Sequence, residues 1–208
     1  MQRYSVHKIF GPTIQGEGGM TGTVCHFIRL SGCNMWDGRP ETRSESTCPF
    51  CDTDFLSHTM MTANTIVQQL NAQGQATWVT ISGGEPALQL DQKLVDTLHE
   101  AGYLIAIETN GTKPINATVD YVTLSPKLPR EQTVIVDCDT LKLLYPHPNP
   151  LIRPEYFQDI KATDKYLQPI DVEDTTRNNT ITQQTIARLY ELDNWKLSLQ
   201  THKYIGVE

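Results

Sequence analysis

The chain has 208 residues, 38% of them apolar and 20% charged, which is enough to build a core and rules out wholesale disorder. Its 17 Lys and Arg against 24 Asp and Glu leave a net charge of −7 with no basic block, which argues against nucleic acid as a partner. No apolar run reaches the roughly 18–20 residues of a membrane span, and residues 1–8 lack the apolar stretch of a secretory signal. The expectation is a cytoplasmic single domain over 1–208 with no membrane partner and a small-molecule ligand.

In chain order, residues 23–30 (Thr-Val-Cys-His-Phe-Ile-Arg-Leu) read as a strand that stops at Ser31-Gly32. Ile66, Val67 and Leu70 predict a helix over 62–71, with Gly74 as its stop. Trp78-Val-Thr-Ile81 is a strand running into Ser82-Gly-Gly-Glu-Pro86, and a helix over 90–101 turns Leu90, Leu94, Val95 and Leu98 to one face. Strands follow at 104–108, ending at Thr109-Asn-Gly111, and at 121–124, ending at Ser125-Pro-Lys127. A strand-like run at 133–137 precedes another at 140–145. Pro146, Pro148, Pro150 and Pro154 predict an irregular insert over about 145–165. A short strand and turn at 166–171, a helix over 180–192 with Ile181, Ile186, Leu189 and Tyr190 as its stripe, and a last strand at 195–199 complete the reading.

Strands alternating with helices imply an α/β fold around a parallel sheet. Six polar or glycine-rich segments each follow a strand: Ser31-Gly-Cys33, Ser82-Gly-Gly-Glu85, Thr109-Asn-Gly111, Ser125-Pro-Lys127, Gln168-Pro-Ile-Asp171 and Gln200-Thr-His202. Ligands of such folds sit at the carboxyl ends of the strands, so all six are expected on one rim.

Five cysteines, an odd number in a chain without an export signal, favour metal or redox use over a disulfide framework. Cys33, Cys48 and Cys51 are spaced C-x14-C-x2-C in a loop over 33–51, whereas Cys25 and Cys138 lie in β-type runs and read as packing residues. Three thiolates suit a [4Fe–4S] cluster with one open iron; zinc, with His26 or His58 as fourth ligand, is the alternative the spacing leaves open. The glycines of Ser82-Gly-Gly-Glu-Pro86 let backbone approach a ligand, and Glu85 can accept from a ligand ammonium. Period two puts Cys25, Phe27 and Arg29 on one face, with the Arg29 fork nearest the rim and suited to a carboxylate. Glu17 can accept from the N–H edge of an aminopyrimidine. Gln200 and His202 share a face of the last strand, and the Thr53 hydroxyl is a hard oxygen for Mg²⁺ beside Asp52 as a supporting acid.

The three-cysteine loop, Ser82-Gly-Gly-Glu-Pro86, Glu108-Thr-Asn-Gly111 and Ser125-Pro-Lys127 together resemble the radical S-adenosylmethionine superfamily. Ile14-Gln-Gly-Glu-Gly18, Phe27-Ile-Arg-Leu-Ser-Gly-Cys33, Cys51-Asp-Thr53, Leu167-Gln-Pro-Ile170 and Leu197-Ser-Leu-Gln-Thr-His-Lys-Tyr204 sharpen this to the 7-carboxy-7-deazaguanine synthase family, over nearly the whole chain. The departure is the insert at 34–47, where many superfamily members have C-x3-C-x2-C.

The resemblance implies a partial (β/α) TIM-like barrel, in keeping with a length short of the roughly 250 residues of a full eight-unit barrel. It implies cluster ligation by Cys33, Cys48 and Cys51, and S-adenosylmethionine binding by Gly83, Gly84, Glu85, Ser125, Pro126, Lys127, Gln168, Pro169, Ile170 and Asp171. It further implies a pterin held by Ile14, Gln15, Gly16, Arg29 and Ser82, approached by Glu208, with Mg²⁺ on Thr53. The implied reaction is a radical ring contraction of 6-carboxy-5,6,7,8-tetrahydropterin with loss of ammonia, served by a flavodoxin or ferredoxin as electron donor and carried out by a homodimer. A glycyl-radical-activating enzyme and a non-catalytic zinc-binding module remain as alternatives.

Overall fold

The computed structural model describes residues 2–51 and 53–208. In chain order it contains β1 (Tyr4–Ile14), β2 (Val24–Leu30), β3 (Thr59–Met61), α1 (Ala63–Gln73), β4 (Trp78–Gly83), α2 (Gln92–Glu100), β5 (Leu104–Thr109), β6 (Tyr121–Leu124), β7 (Asp137–Tyr145), β8 (Lys161–Pro169), α3 (Thr175–Leu189), β9 (Trp195–Leu197) and α4 (Thr201–Ile205). The strands form one open sheet in the order β3-β1-β2-β4-β5-β6-β7-β8-β9. From β2 to β9 every neighbour is parallel; β1 joins antiparallel to both β2 and β3. This is the expected α/β partial barrel, with the sheet unclosed. No helix among the described residues is long and apolar enough to cross a membrane.

Period two divides the strands between a helix-covered face and an inner face. Ile28 and Leu30 on β2, Val79 and Ile81 on β4, and Ile105 and Ile107 on β5 pack outward against Ile66 and Leu70 of α1 and Leu94 and Leu98 of α2. Each of these buried branched side chains contributes about 2 kcal/mol by leaving water. Leu141 and Leu143 of β7 and Leu167 of β8 do the same beneath Ile152, Phe157 and Leu189. The intervening residues, among them Arg29, Ser82, Glu108, Lys142 and Gln168, are left to face inward. Side-chain caps fix the helix starts: Thr62 accepts from Thr65 N–H at 3.2 Å, Asp91 from Leu94 N–H at 2.9 Å and Asp174 from Arg177 N–H at 3.0 Å.

Four expectations are corrected. The run 133–136 is not itself a strand: Val134 N–H bonds to the Gly111 carbonyl at 2.8 Å, so the segment follows the loop after β5, and only the Val136 carbonyl, accepting from Lys161 N–H at 2.9 Å, leads into the pairing that begins at Asp137. The irregular insert ends earlier than 165, because β8 starts at Lys161; its front half, Lys161-Ala-Thr-Asp-Lys165, is polar yet pairs with β7 throughout. The third long helix starts at Thr175 under its Asp174 cap, and its buried residue is Thr185, while Tyr190 is 87% exposed. The last strand ends at Leu197, so Gln200 and His202 belong to the start of α4 and not to a strand face.

Candidate functional site

The carboxyl ends of the parallel strands open on a single cavity of about 460 Å³. All six segments expected on one rim contribute to its wall. Of the anticipated site residues, Ile14, Gln15, Gly16, Glu17, Arg29, Cys33, Cys48, Cys51, Thr53, Ser82, Gly83, Gly84, Ser125, Lys127, Gln168, Pro169, Ile170, Asp171, Gln200, His202 and Glu208 line it; Glu85 and Pro126 do not. Asp52 lies outside the described residues.

The long cysteine loop is shorter than its sequence suggests. Thr47 N–H bonds to the Met35 carbonyl at 3.3 Å and closes residues 36–46 into a side excursion. That excursion packs around Trp36, whose indole N–H donates to Thr42 Oγ1 at 3.0 Å and whose ring meets Phe55 edge-on at 5.6 Å. Cys33 and Cys48 are thereby returned to the same wall, and a turn with Cys51 N–H on the Cys48 carbonyl at 3.0 Å adds the third sulfur. Asn34 ties the loop to the end of β5, accepting from Asn110 Nδ2 at 3.0 Å and donating to Thr112 Oγ1 at 2.8 Å.

Burial pushes the Cys48 thiol up to about 11, with the Cys51 and Cys33 thiols adding to the rise and the Lys127 ammonium opposing it. Three thiolates near one another need cationic compensation, which iron supplies. A single zinc ion requires sulfurs within ~4 Å of each other, given Zn–S bonds of ~2.3 Å. Among the described residues no group of three or more His, Cys, Asp or Glu is placed to hold one metal ion. His26 is buried against Tyr103 and His58 is exposed, and neither lines the cavity. Three cysteines on one cavity wall are a donor set that a [4Fe–4S] cluster could use.

The two glycines at the end of β4 pack against the backbone that follows β2. Gly83, at φ +117°, and Gly84 lie so close to β2 that a Cβ on either would overlap the carbonyl oxygen of Leu30 or Gly32, respectively. Gly84 N–H bonds to the Leu30 carbonyl at 3.0 Å and Glu85 N–H to the Gly32 carbonyl at 2.9 Å. Glu85, expected at a ligand ammonium, is buried at 1% exposure behind the wall. Its carboxylate accepts from Ala87 N–H at 3.0 Å, Thr109 Oγ1 at 2.7 Å and Asn110 N–H at 2.7 Å. It therefore braces the loop after β5. Lys127 points inward from the end of β6, donating to the carbonyl and hydroxyl of Ser125 at 2.6 Å each. Burial pushes its ammonium down, and the Cys48, Cys51 and Glu17 side chains act against that.

At the opposite wall the two ends of the chain meet. Thr201 N–H bonds to the Gly16 carbonyl at 2.9 Å, and a Cβ on Gly16 would overlap His202 Nδ1. The Glu208 carboxylate pairs with Lys8, and its carbonyl accepts from Thr13 Oγ1 at 2.8 Å. Arg29 sits with its guanidinium 5.3 Å from the Phe10 ring, and its buried Nε has no hydrogen-bond partner among the described residues. Phe10 is stacked on Phe27, with centroids 5.0 Å apart.

Glu17, expected to meet an aminopyrimidine edge, has both oxygens engaged: one by Lys142, the other by Gln200 Nε2 at 2.8 Å. Burial raises its carboxyl, but the Lys142 charge and these donors outweigh that and hold it well below the usual range. Sequence reasoning left out Glu108 and Lys142. Glu108 accepts from Gln15 Nε2 at 3.1 Å through the same oxygen that stands 4.0 Å from the Lys142 ammonium. Lys142 could have been found as the lone charge inside the apolar run Leu141-Lys-Leu-Leu144, since a lysine buried in a sheet needs acids beside it.

No protein-family model matches the chain. It is 40% identical over 214 residues to the 7-carboxy-7-deazaguanine synthase of Caulobacter vibrioides, covering 98% of this chain and 99% of that one. To the enzyme of the same name from Bordetella pertussis it is 37% identical, again over 98% of this chain and 99% of that one. Among solved structures it is similar to QueE from Escherichia coli, with a TM-score of 0.67, 26% identity, and coverage of 96% of this chain and 95% of that one.

Proposed function

The chain belongs to the 7-carboxy-7-deazaguanine synthase family, and from that premise we propose that its cavity contracts 6-carboxy-5,6,7,8-tetrahydropterin to 7-carboxy-7-deazaguanine with release of ammonia, as a carbon–nitrogen lyase. The observation that carries the reading is the convergence of Cys33, Cys48 and Cys51 on the same cavity as Arg29, Glu108, Lys127 and His202. The three thiolates would hold a [4Fe–4S] cluster. Ser125, Lys127 and the segment from Gln168 to Asp171 would hold S-adenosylmethionine, with Gly83 and Gly84 bringing backbone to it. Together these cofactors supply one-electron hydrogen abstraction from carbon. Thr53 would give Mg²⁺ one oxygen, which suits an ion that keeps several waters.

The chain's own residues do the rest. Arg29 has an unsatisfied buried donor, which a substrate carboxylate would satisfy. Glu108 offers a carboxylate oxygen to the N–H edge of the pyrimidine ring. Phe10, Phe27 and the aromatic residues of the cysteine loop keep water away from the reacting carbon. A flavodoxin- or ferredoxin-type donor, a homodimeric state and a cytoplasmic setting complete the proposal.

The test is anaerobic reconstitution with iron and sulfide, reduction, and incubation with S-adenosylmethionine and the carboxypterin. Formation of the deazaguanine supports the reading; reconstituted, reduced protein that leaves the pterin intact rejects it. Arg29→Ala is expected to keep its iron and its cleavage of S-adenosylmethionine while binding the pterin about 10–100-fold more weakly, the value of a charge-assisted hydrogen bond to carboxylate. Calorimetric titration measures this, and unchanged affinity removes Arg29 from the site.

A further inference from the structure

The cysteine loop is fastened on both sides of Cys33. On one side, Glu85 N–H donates to the Gly32 carbonyl at 2.9 Å. On the other, the exposed Asn34 accepts from Asn110 Nδ2 at 3.0 Å, a contact that spans 76 residues of chain. Glu85 joins the two, because its carboxylate accepts from Asn110 N–H at 2.7 Å. These three hydrogen bonds, with the backbone from Gly32 to Asn34, close a ring around Cys33. A second, smaller ring orients the amides: Asn34 Nδ2 donates to Thr112 Oγ1 at 2.8 Å, and that hydroxyl donates to Asn110 Oδ1 at 2.7 Å. Thr47 N–H on the Met35 carbonyl, at 3.3 Å, sets the 36–46 excursion apart from both rings. Cys33 lines the cavity, and Met35 N–H points at its sulfur at 3.4 Å.

We propose that Asn34 and Asn110 are positioning residues for the metal cluster: with Glu85 they hold Cys33 in place before iron arrives, so that little freedom is lost when its sulfur is captured. The cluster rests on the function proposed above; the ring does not. A ring opens as a whole. Without Asn34 the Asn110 amide loses its acceptor and the far side of Cys33 is released, whatever happens at Gly32.

Hydrogen exchange reads the ring in the ligand-free protein. Asn34→Ala is expected to speed exchange of the Glu85 amide about tenfold, the value of one hydrogen bond, although that amide bonds to Gly32 on the other side of Cys33. Asn34 is exposed, so its truncation leaves the core intact. After anaerobic reconstitution, Asn34→Ala and Asn110→Ala are each expected to lose iron at an about 10–100-fold lower concentration of an iron chelator than the parent. The double variant should lose it no sooner than the single ones, because both changes open the same ring. The cluster's midpoint potential should also fall in each, since a slackened Met35 N–H gives up its bond to the sulfur. Thr42→Ala loosens the excursion at Trp36 and should match the parent in all three measurements. An unchanged Glu85 amide in Asn34→Ala, parent-like iron retention, additive losses in the double variant, or equal losses in Thr42→Ala overturns the proposal. If exchange behaves as stated but the parent takes up no cluster, the proposed cofactor fails and the positioning role falls with it.

Discussion

Cys51→Ala is expected to leave the reconstituted protein without a stable cluster and to lower turnover by about three orders of magnitude or more, because the difficult step belongs to the cofactor. Cys51 sits at the end of the turn that begins at Cys48 and faces the same cavity as Cys33. Two remaining thiolates cannot grip three irons of a cube. Iron and sulfide per chain, together with the visible absorbance that bleaches on reduction, give the measurement. Cys138→Ala is the internal control: that thiol, on β7, is buried in the core, its pKa is pushed up to about 12 by burial and then by Asp139 and Asp137, and its loss should cost packing but no iron. Full iron in Cys51→Ala, or equal loss in both variants, removes the assigned cluster ligands.

The rim was legible because each parallel strand announces its end. A β-branched or apolar run gives way to glycine, serine or asparagine at Leu30, Gly83, Thr109 and Leu124, and strand order then places those ends together. What the sequence hid has identifiable causes. β1 carries the apolar residues Tyr4, Val6, Ile9 and Phe10, but register shifts between Val6 and Lys8 and between Phe10 and Thr13 break the two-residue period. The first turn of α3, Thr-Thr-Arg-Asn-Asn, has poor helix propensity and is set by the Asp174 cap and by Asn178, which donates to Asp171 Oδ1 at 2.6 Å and accepts from Val172 N–H at 2.9 Å. In the site, residue type alone cannot show which acid is occupied. Glu17, Glu85 and Glu108 are equally plausible on paper, yet Glu85 lies behind the wall while Glu17 and Glu108 line the cavity. Glu85 is consumed by three donors from Ala87, Thr109 and Asn110, and Glu17 by Lys142 and Gln200. Apart from Ala87, those partners lie more than twenty residues away in the chain.

The glycines after β4 make the same point with an outcome that can be measured. Gly84 lines the cavity, and the nearest atoms to a Cβ there belong to Gly32 and Cys33, the start of the cysteine loop. Gly84→Ala must therefore push apart two backbones that are hydrogen-bonded on either side, through Gly84 N–H to Leu30 and Glu85 N–H to Gly32. Backbone yields less readily than the tip of a side chain, so a cost of about 3 kcal/mol is expected, equivalent to a fall of about 6–12 °C in Tm for a chain of this size. The displacement is transmitted to Cys33, so cluster uptake should fall along with stability even where the protein is still folded. Gly102→Ala supplies the comparison: its Cβ meets nothing within 4 Å, so the strain at φ +90° is its only cost and iron uptake should be untouched. Thermal unfolding and iron content, measured on both variants, separate the two effects. If Gly84→Ala unfolds at the parent's temperature and fills with iron normally, the Leu30–Cys33 backbone is not what requires glycine there.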